Sequence, residues 1–278
     1  MDRLDVFKII AQQAAKGELT FPANVKATLK LQEALDDPDC HIETAAHMVM
    51  AEPLLSARVV ALANSAAYNR SGNEIANVRA AVSRLGFATL KSMVASVIVR
   101  QLGSQITDPQ LRAKTAKLWE HTAHVAALSQ VLAKKVTHVD PETAMFAAIV
   151  HEVGGFYLLS RAEEYPGLLD DNTEDWLEYG EKLIGRGVLR QLEVPDQVLQ
   201  AVEGLWHGGG PFPPRTLGAT LVLANDLAPV ASPLHPPEVA ERRRAAAMID
   251  FGTGGSTLHT ILEESAEEIE SLAAALLV

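Results

Sequence analysis

Four residues scattered along this chain carry donors that could together hold a divalent metal: His121, His151, Glu152 and Asp226. Imidazole nitrogens and carboxylate oxygens suit zinc, manganese or iron. A metal bound that way lowers the pKa of its water and supplies a nucleophile for phosphoester hydrolysis. His121 falls mid-helix on an otherwise apolar face. His151-Glu152 closes an apolar stretch shortly before Gly154-Gly155, where a side chain can point into a cleft. Asp226 stands among Leu221, Leu223 and Leu227. The plainer reading makes both histidines hydrogen-bonded core residues and gives Asp226 a backbone or arginine partner. Residue types alone favour it, because isolated histidines and aspartates are common in helical chains.

Other chemistry is thinner. His151-Glu152 is no zincin motif, since the second histidine four residues on is missing. His207 precedes Gly208, Gly209 and Gly210, yet no Lys-Ser/Thr follows as a phosphate loop requires, so it reads as a loop histidine. His124 shares a helix face with His121 at i, i+3 and joins His207 as a candidate pocket residue. His41 and His47 have no companion ligands. Arg242, Arg243 and Arg244 are consecutive and fan around a helix axis, as a solvated face does. Cys40 is the only cysteine and follows Asp39, an acidic neighbour that works against an activated thiolate. No Ser-His-Asp order, P-loop or Gly-x-Gly-x-x-Gly is present.

The elements that must position these residues read as helices. Leu4, Phe7, Ile10, Ala11 and Ala14 make a first amphipathic helix over 3–16, stopped by Gly17. Thr20-Phe21-Pro22 opens a second helix to Leu35, and a third covers Ile42–Met50. A central pair follows. Pro53 suits a first helical position, and Leu55, Val59, Leu62 and Ala63 recur at helical spacing, leaving Arg58 to face solvent or a partner. Asn77 is the N-cap of the second member and Gly86 its terminator. An apolar helix over Leu90–Leu102 comes next, then a junction at Gly103–Pro109. Leu118–Val136, Glu142–His151 (interrupted at Gly154-Gly155), Trp176–Leu192, Asp196–Trp206 and Leu217–Ala228 are further helices, with an acidic loop or helix entry at Asp170–Asp175. Pro229–Pro237, with four prolines, reads as an exposed connector. Glu238–Ile249 and Thr257–Leu277 are the last helices, separated by Gly252–Gly255.

The chain has 278 residues, 48% hydrophobic but only 5% aromatic. An Ala, Leu and Val core suits helices more than sheets, which predicts an all-α fold. A net charge of −11 argues against a general nucleic-acid or anionic-membrane binder. The lone cysteine fits a reducing cytoplasm. The N-terminus lacks a signal-peptide pattern, and no apolar run approaches the ~18 residues that span a bilayer.

The phrasing of the chain resembles the HDOD domain (HD-related output domain) of bacterial signalling proteins. The matching phrases are Asp37-Pro38, Glu52-Pro53-Leu54-Leu55, Leu62-Ala63-Asn64-Ser65-Ala66 and Ala81-Val82-Ser83-Arg84-Leu85-Gly86. Downstream stand Leu118-Trp119-Glu120-His121, Ala147-Ala148-Ile149-Val150-His151-Glu152-Val153-Gly154, Leu192-Glu193-Val194-Pro195 and Trp206-His207. They run in the family's order from about residue 20 to 228.

The resemblance implies a multi-helix fold: an N-terminal bundle (1–105), a core related to HD phosphohydrolases (106–228), then the connector and C-terminal helices (229–278). It implies a cytoplasmic output or adaptor protein, not an enzyme, in two-component or cyclic-di-GMP networks. The HD metal pattern maps onto His121, His151, Glu152 and Asp226 as vestigial ligands. Glu152 stands where active hydrolases carry aspartate, and one extra methylene moves the carboxylate by about 1.5 Å. The family's histidine before the Leu-x-Val-Pro helix is absent, with Glu181-Lys182-Leu183-Ile184 in that region. The Gly-Tyr-Pro signature of cyclic-di-GMP phosphodiesterases is absent too. The expectation is therefore a degenerate pocket without cofactor, and partners that are signalling proteins, with no direct nucleic acid and no membrane. Arg58 and Arg84 are candidate partner-facing residues, and a homodimer is a candidate assembly. The alternatives are a metal-dependent phosphohydrolase using a divalent metal, or a cyclic-dinucleotide sensor that does not cut its ligand.

Overall fold

Apolar side chains at three- and four-residue intervals set the architecture, and a computed structural model shows an all-α chain. The structure describes residues 2–169, 175–207, 213–236, 252–253 and 256–278. The glycines at 208–210, the expected helix over 238–249 with its three arginines, and most of the acidic stretch after Leu169 lie outside the described residues.

Helix α1 (Arg3–Lys16) turns Val6, Phe7, Ile10, Ala11 and Ala14 inward and ends at Gly17. Helices α2 (Ala23–Asp36), α3 (Ile42–Met50) and α4 (Pro53–Ala63) follow. Helix α5 (Val78–Leu102) is capped by the Asn77 side chain, which accepts the Ala80 N–H, a bond worth about 1 kcal/mol. Gly86 is a bend and not the expected terminator. It takes φ 76° and ψ 173°, and the chain resumes helix at once. That φ is freely open to glycine, so the two expected helices form one bent rod.

Asp108 and Asp140 cap two helices that open with proline, α6 (Pro109–Leu132) and α7 (Pro141–Val150). Helix α6 winds into a π-helical turn at Ala133–Thr137. Next come α8 (Val153–Arg161), a π-helix (Trp176–Gly185), α9 (Arg186–Gln191), α10 (Asp196–His207) and α11 (Leu217–Leu227). A minimal antiparallel pair, β1 (Gly252–Thr253) with β2 (Ser256–Thr257), precedes α12 (Leu258–Glu264) and α13 (Ala266–Leu277). The single C-terminal helix expected from the sequence thus breaks at Ser265.

The break expected at Gly154-Gly155 falls instead at His151-Glu152, and both glycines lie inside α8. Their smallness serves packing. A Cβ on Gly154 would sit 2.7 Å from the Gly185 Cα and 3.0 Å from the Gly180 carbonyl oxygen. Glycine therefore lets α8 press directly onto the π-helix backbone.

Helix α6 packs against α7, α11 and α13, and α5 against α2, α3, α4 and α7. Buried apolar residues from Val6 to Leu276 join in one cluster, so α13 is part of the core. It lies over α4 and α6. Two segments, Val78–Leu102 and Pro141–Arg161, are long and apolar enough to cross a membrane, contrary to the sequence expectation. Their apolar windows are 67% and 83% buried, as inner helices of a packed core are.

Candidate metal centre

Each member of the site is placed by an ordinary helical device. The inward face of α6 carries His121, beside Thr122 and Val125. His151 is the C-cap of α7 and Glu152 the N-cap of α8, so the two-residue joint between those helices aims both side chains inward. All three are buried. Their ring or carboxylate donor atoms lie within 4.8 Å of one another. The imidazole centroids are 5.4 Å apart, and His121 Nε2 is 3.8 Å from Glu152 Oε2.

The hydrogen bonds fix the tautomers. His121 Nδ1 is 2.7 Å from the Val230 carbonyl and His151 Nδ1 is 2.6 Å from the Ala148 carbonyl. A carbonyl only accepts, so each Nδ1 carries the proton and each Nε2 presents a lone pair when the ring is neutral. Among the described residues His121 Nε2, His151 Nε2 and Glu152 Oε2 are buried without hydrogen-bond partners. Three bare donors thus converge on one point.

The stretch expected to be an exposed connector closes this site. Besides the Val230 carbonyl on His121, this stretch sets the Ser232 hydroxyl close enough to Glu152 to favour its charged form. His235 Nε2 lies 3.0 Å from Glu181 Oε1 and 3.7 Å from Glu152 Oε1. Trp176 Nε1 donates to the same Glu181 oxygen at 3.0 Å. Ser232 is buried, and a Cβ on Gly155 would meet Leu234 Cδ1. Proline removes N–H donors that would need partners on packing, which lets so proline-rich a segment lie against apolar helices. The sequence reading missed Ser232, His235 and Glu181. A histidine set among four prolines was the available signal.

Burial pushes the Glu152 carboxyl up, but His121, His151, His235 and the Ser232 hydroxyl outweigh it and hold the group below the ordinary carboxylate range. Burial, stronger than the opposing pull of Glu152, pushes the His151 imidazole below its ordinary value. As pH falls the unfolded chain therefore takes up this proton first. The stability is fully present above the unfolded pKa and is lost as pH drops toward the folded one. The thermal midpoint is expected to fall between about pH 7.5 and about pH 5.5, with a smaller fall in His151→Gln. Equal falls in the two proteins would assign the dependence to other groups.

The remaining expected site residues lie elsewhere. Asp226 on α11 is not one of the clustered donors. It is half-buried and accepts from Asn225 Nδ2 at 3.1 Å. His124 is half-buried on α6, and burial pushes its imidazole down. His207 is exposed at the end of α10, its Nδ1 2.8 Å from the Glu203 carbonyl. Arg84 is half-buried and donates to Asn69 Oδ1 at 2.8 Å, bracing the loop after α4. Arg58 does not face solvent: it is 0% exposed, because α13 packs on α4. The α4 periodicity could not show a cover that arrives some two hundred residues later.

The profile described as the HDOD domain matches residues 21–204. No curated protein matches the chain. Among solved structures, a proposed metal-dependent phosphohydrolase from Shewanella amazonensis SB2B superposes with a TM-score of 0.74 at 22% identity, covering 99% of this chain and 100% of that one. An HDOD domain protein of unknown function from Geobacter sulfurreducens gives 0.63 at 20% identity, covering 98% and 97%. A proposed signal transduction protein from Marinobacter aquaeolei VT8 gives 0.59 at 16% identity, covering 99% of this chain and 66% of that one. At these identities the likeness establishes the fold. With the domain profile matched across most of its length, the chain belongs to the HDOD family.

Proposed function

We propose that the chain is an output module of a bacterial signalling system, working in the cytoplasm through contacts with proteins of a two-component or cyclic-di-GMP network and not by hydrolysis. The observation that carries this reading is the closed pocket. A catalytic metal keeps a coordination position open for water and substrate. Here Val230, Ser232 and His235 lie across the three donors, and each donor residue is buried. Met50 and Leu54, 48% and 44% exposed on either side of the α3–α4 joint, offer apolar surface for protein contact.

A second reading, metal-dependent phosphohydrolase, is favoured by the three bare donor atoms. Their chemistry fits a divalent cation: two imidazoles whose other nitrogens are held by carbonyls, as in most histidine metal sites, and one carboxylate. His121, His151 and Glu152 would hold it, and a bound ion supplies Lewis acidity and an acidified water.

The test is elemental analysis of the full chain purified without a histidine tag or chelator, with phosphate release measured from a simple aryl phosphate. We expect zinc, manganese or iron near one equivalent, lost in His151→Ala, and phosphate release at background in both proteins. A metal-free protein with background release also agrees with the output-module reading and leaves the pocket as scaffold. Phosphate release by the wild type that disappears in His151→Ala would overturn it.

A further inference from the structure

Arg58 heads the fully buried side chains by volume. None of its three guanidinium nitrogens has a hydrogen-bond partner among the described residues, and none is open to solvent. Arginine keeps its charge inside proteins, and a buried charge without acceptors is strongly unfavourable. A core built only for packing would place leucine or methionine at this point of α4.

The surroundings show what is missing. The Arg58 Cζ lies 5.9 Å from the Trp119 ring centroid, and the Arg100 Cζ on α5 lies 5.6 Å from the same ring. Two guanidinium groups from different helices thus gather on one indole. The end of α13 lies against the indole and Arg100. Trp119 Nε1 donates to the Leu276 carbonyl and Arg100 Nη1 to the Val278 backbone oxygen, both at 3.2 Å. Neither contact reaches the Arg58 guanidinium, which is left without an acceptor.

We propose that Arg58, Arg100 and Trp119 form a binding site for an oxyanion, a phosphate or carboxylate group, which enters by displacing the last turn of α13. The guanidinium fork matches both groups. The polar anchors of α13 lie toward its start. Lys134 and Lys135 pair with Glu268 at 3.5 and 3.4 Å, Lys135 donates to Ser265 Oγ at 2.6 Å, and the Ala66 N–H donates to Ser271 Oγ at 3.0 Å. Beyond Ser271 the helix is held by its buried Leu272, Ala273, Ala275 and Leu276 and by the two carbonyl contacts. The final turn can lift while the rest stays docked. This site is separate from the histidine cluster, because residues two apart on α6, such as Trp119 and His121, face opposite sides of the helix.

The full chain is titrated with inorganic phosphate and, separately, with acetate, each against chloride at equal ionic strength. Thermal midpoint and amide hydrogen exchange of α13 are followed. The wild type is expected to gain stability with at least one oxyanion while exchange quickens in the last turn of α13. Response to phosphate alone identifies a phosphoryl ligand, and response to acetate a carboxylate. Arg58→Met, which keeps bulk and removes charge, is expected to have a higher midpoint than the wild type without oxyanion and no response to it. Arg100→Gln, at a less buried position, is expected to weaken apparent affinity about tenfold, and it serves if Arg58→Met does not fold. No response in the wild type, or an undiminished response in either variant, would sink the proposal.

Discussion

Glu142→Ala is expected to lower the free energy of unfolding by about 3 kcal/mol, the larger part of what one charged acceptor with several donors contributes. Glu142 sits in the first turn of α7. Its carboxylate takes the Tyr68 hydroxyl at 2.8 and 3.0 Å, the Thr89 hydroxyl at 2.7 Å and the Gln130 amide at 3.1 Å. Those donors come from the loop after α4, from α5 and from α6, so one side chain joins four parts of the chain. Tyr68 is locked as a donor, because burial and then the Glu142 charge push its phenol far above the usual range. Removing the carboxylate takes the close acceptor from the hydroxyls of Tyr68 and of buried Thr89, while Gln130 keeps only the Tyr68 oxygen at 2.6 Å. The loss is kept from growing further by a cleft of about 370 Å³ that Glu142 lines with Lys91, Phe146 and Val198, through which water can reach the network. Glu142→Gln retains an acceptor and is expected to cost about 1 kcal/mol. Urea unfolding with an unchanged slope is the measurement. Equal costs for alanine and glutamine would mean that the charge contributes nothing.

Gly154→Ala is expected to cost about 3 kcal/mol, near the upper end for overpacking, and to lower the thermal midpoint by about 6 °C or more. The added methyl would meet the Gly185 Cα and the Gly180 carbonyl. Backbone cannot rotate away, so α8 must move off the π-helix and carry Glu152 at its N-cap with it. Gly155→Ala is the control. Its methyl would meet chiefly Leu234 Cδ1, the far end of a flexible side chain that can turn aside. It is expected to leave the midpoint nearly unchanged and to loosen the 229–236 segment, seen as faster hydrogen exchange there. A midpoint drop in Gly155→Ala as large as in Gly154→Ala would show that the close backbone contact is not what matters.

Local signals were legible where the cause was local. Pro53 at a helix start, Asn77 as a cap and the amphipathic run of α1 all stand as read. The resemblance named His121, His151, Glu152 and Asp226 together, and the fold gathers the first three without Asp226. What failed was set at a distance. Gly86 carries the conformation expected of a terminator, but α5 continues because its apolar face fits the bundle on both sides of the bend. Gly154 looked like a breaker, and it is a contact point for a segment some thirty residues on. Arg58 was read from its neighbours on one helix, and its burial comes from another. The prolines after Ala228 were read as exposure, though a chain poor in donors is also one that can be buried.

The ligand-type residues of the pocket also hold the chain after α11 in place: the His121 ring binds the Val230 carbonyl, and Glu152 lies 3.7 Å from His235. His151-Glu152 is, besides, the joint at which α7 gives way to α8. A lineage that lost the chemistry would still lose fold stability by replacing them. Selection for architecture can therefore preserve what looks like an active site long after turnover has ceased. In this chain the folding roles of these residues suffice to account for histidine and carboxylate at these places, so their presence is, by itself, no measure of activity.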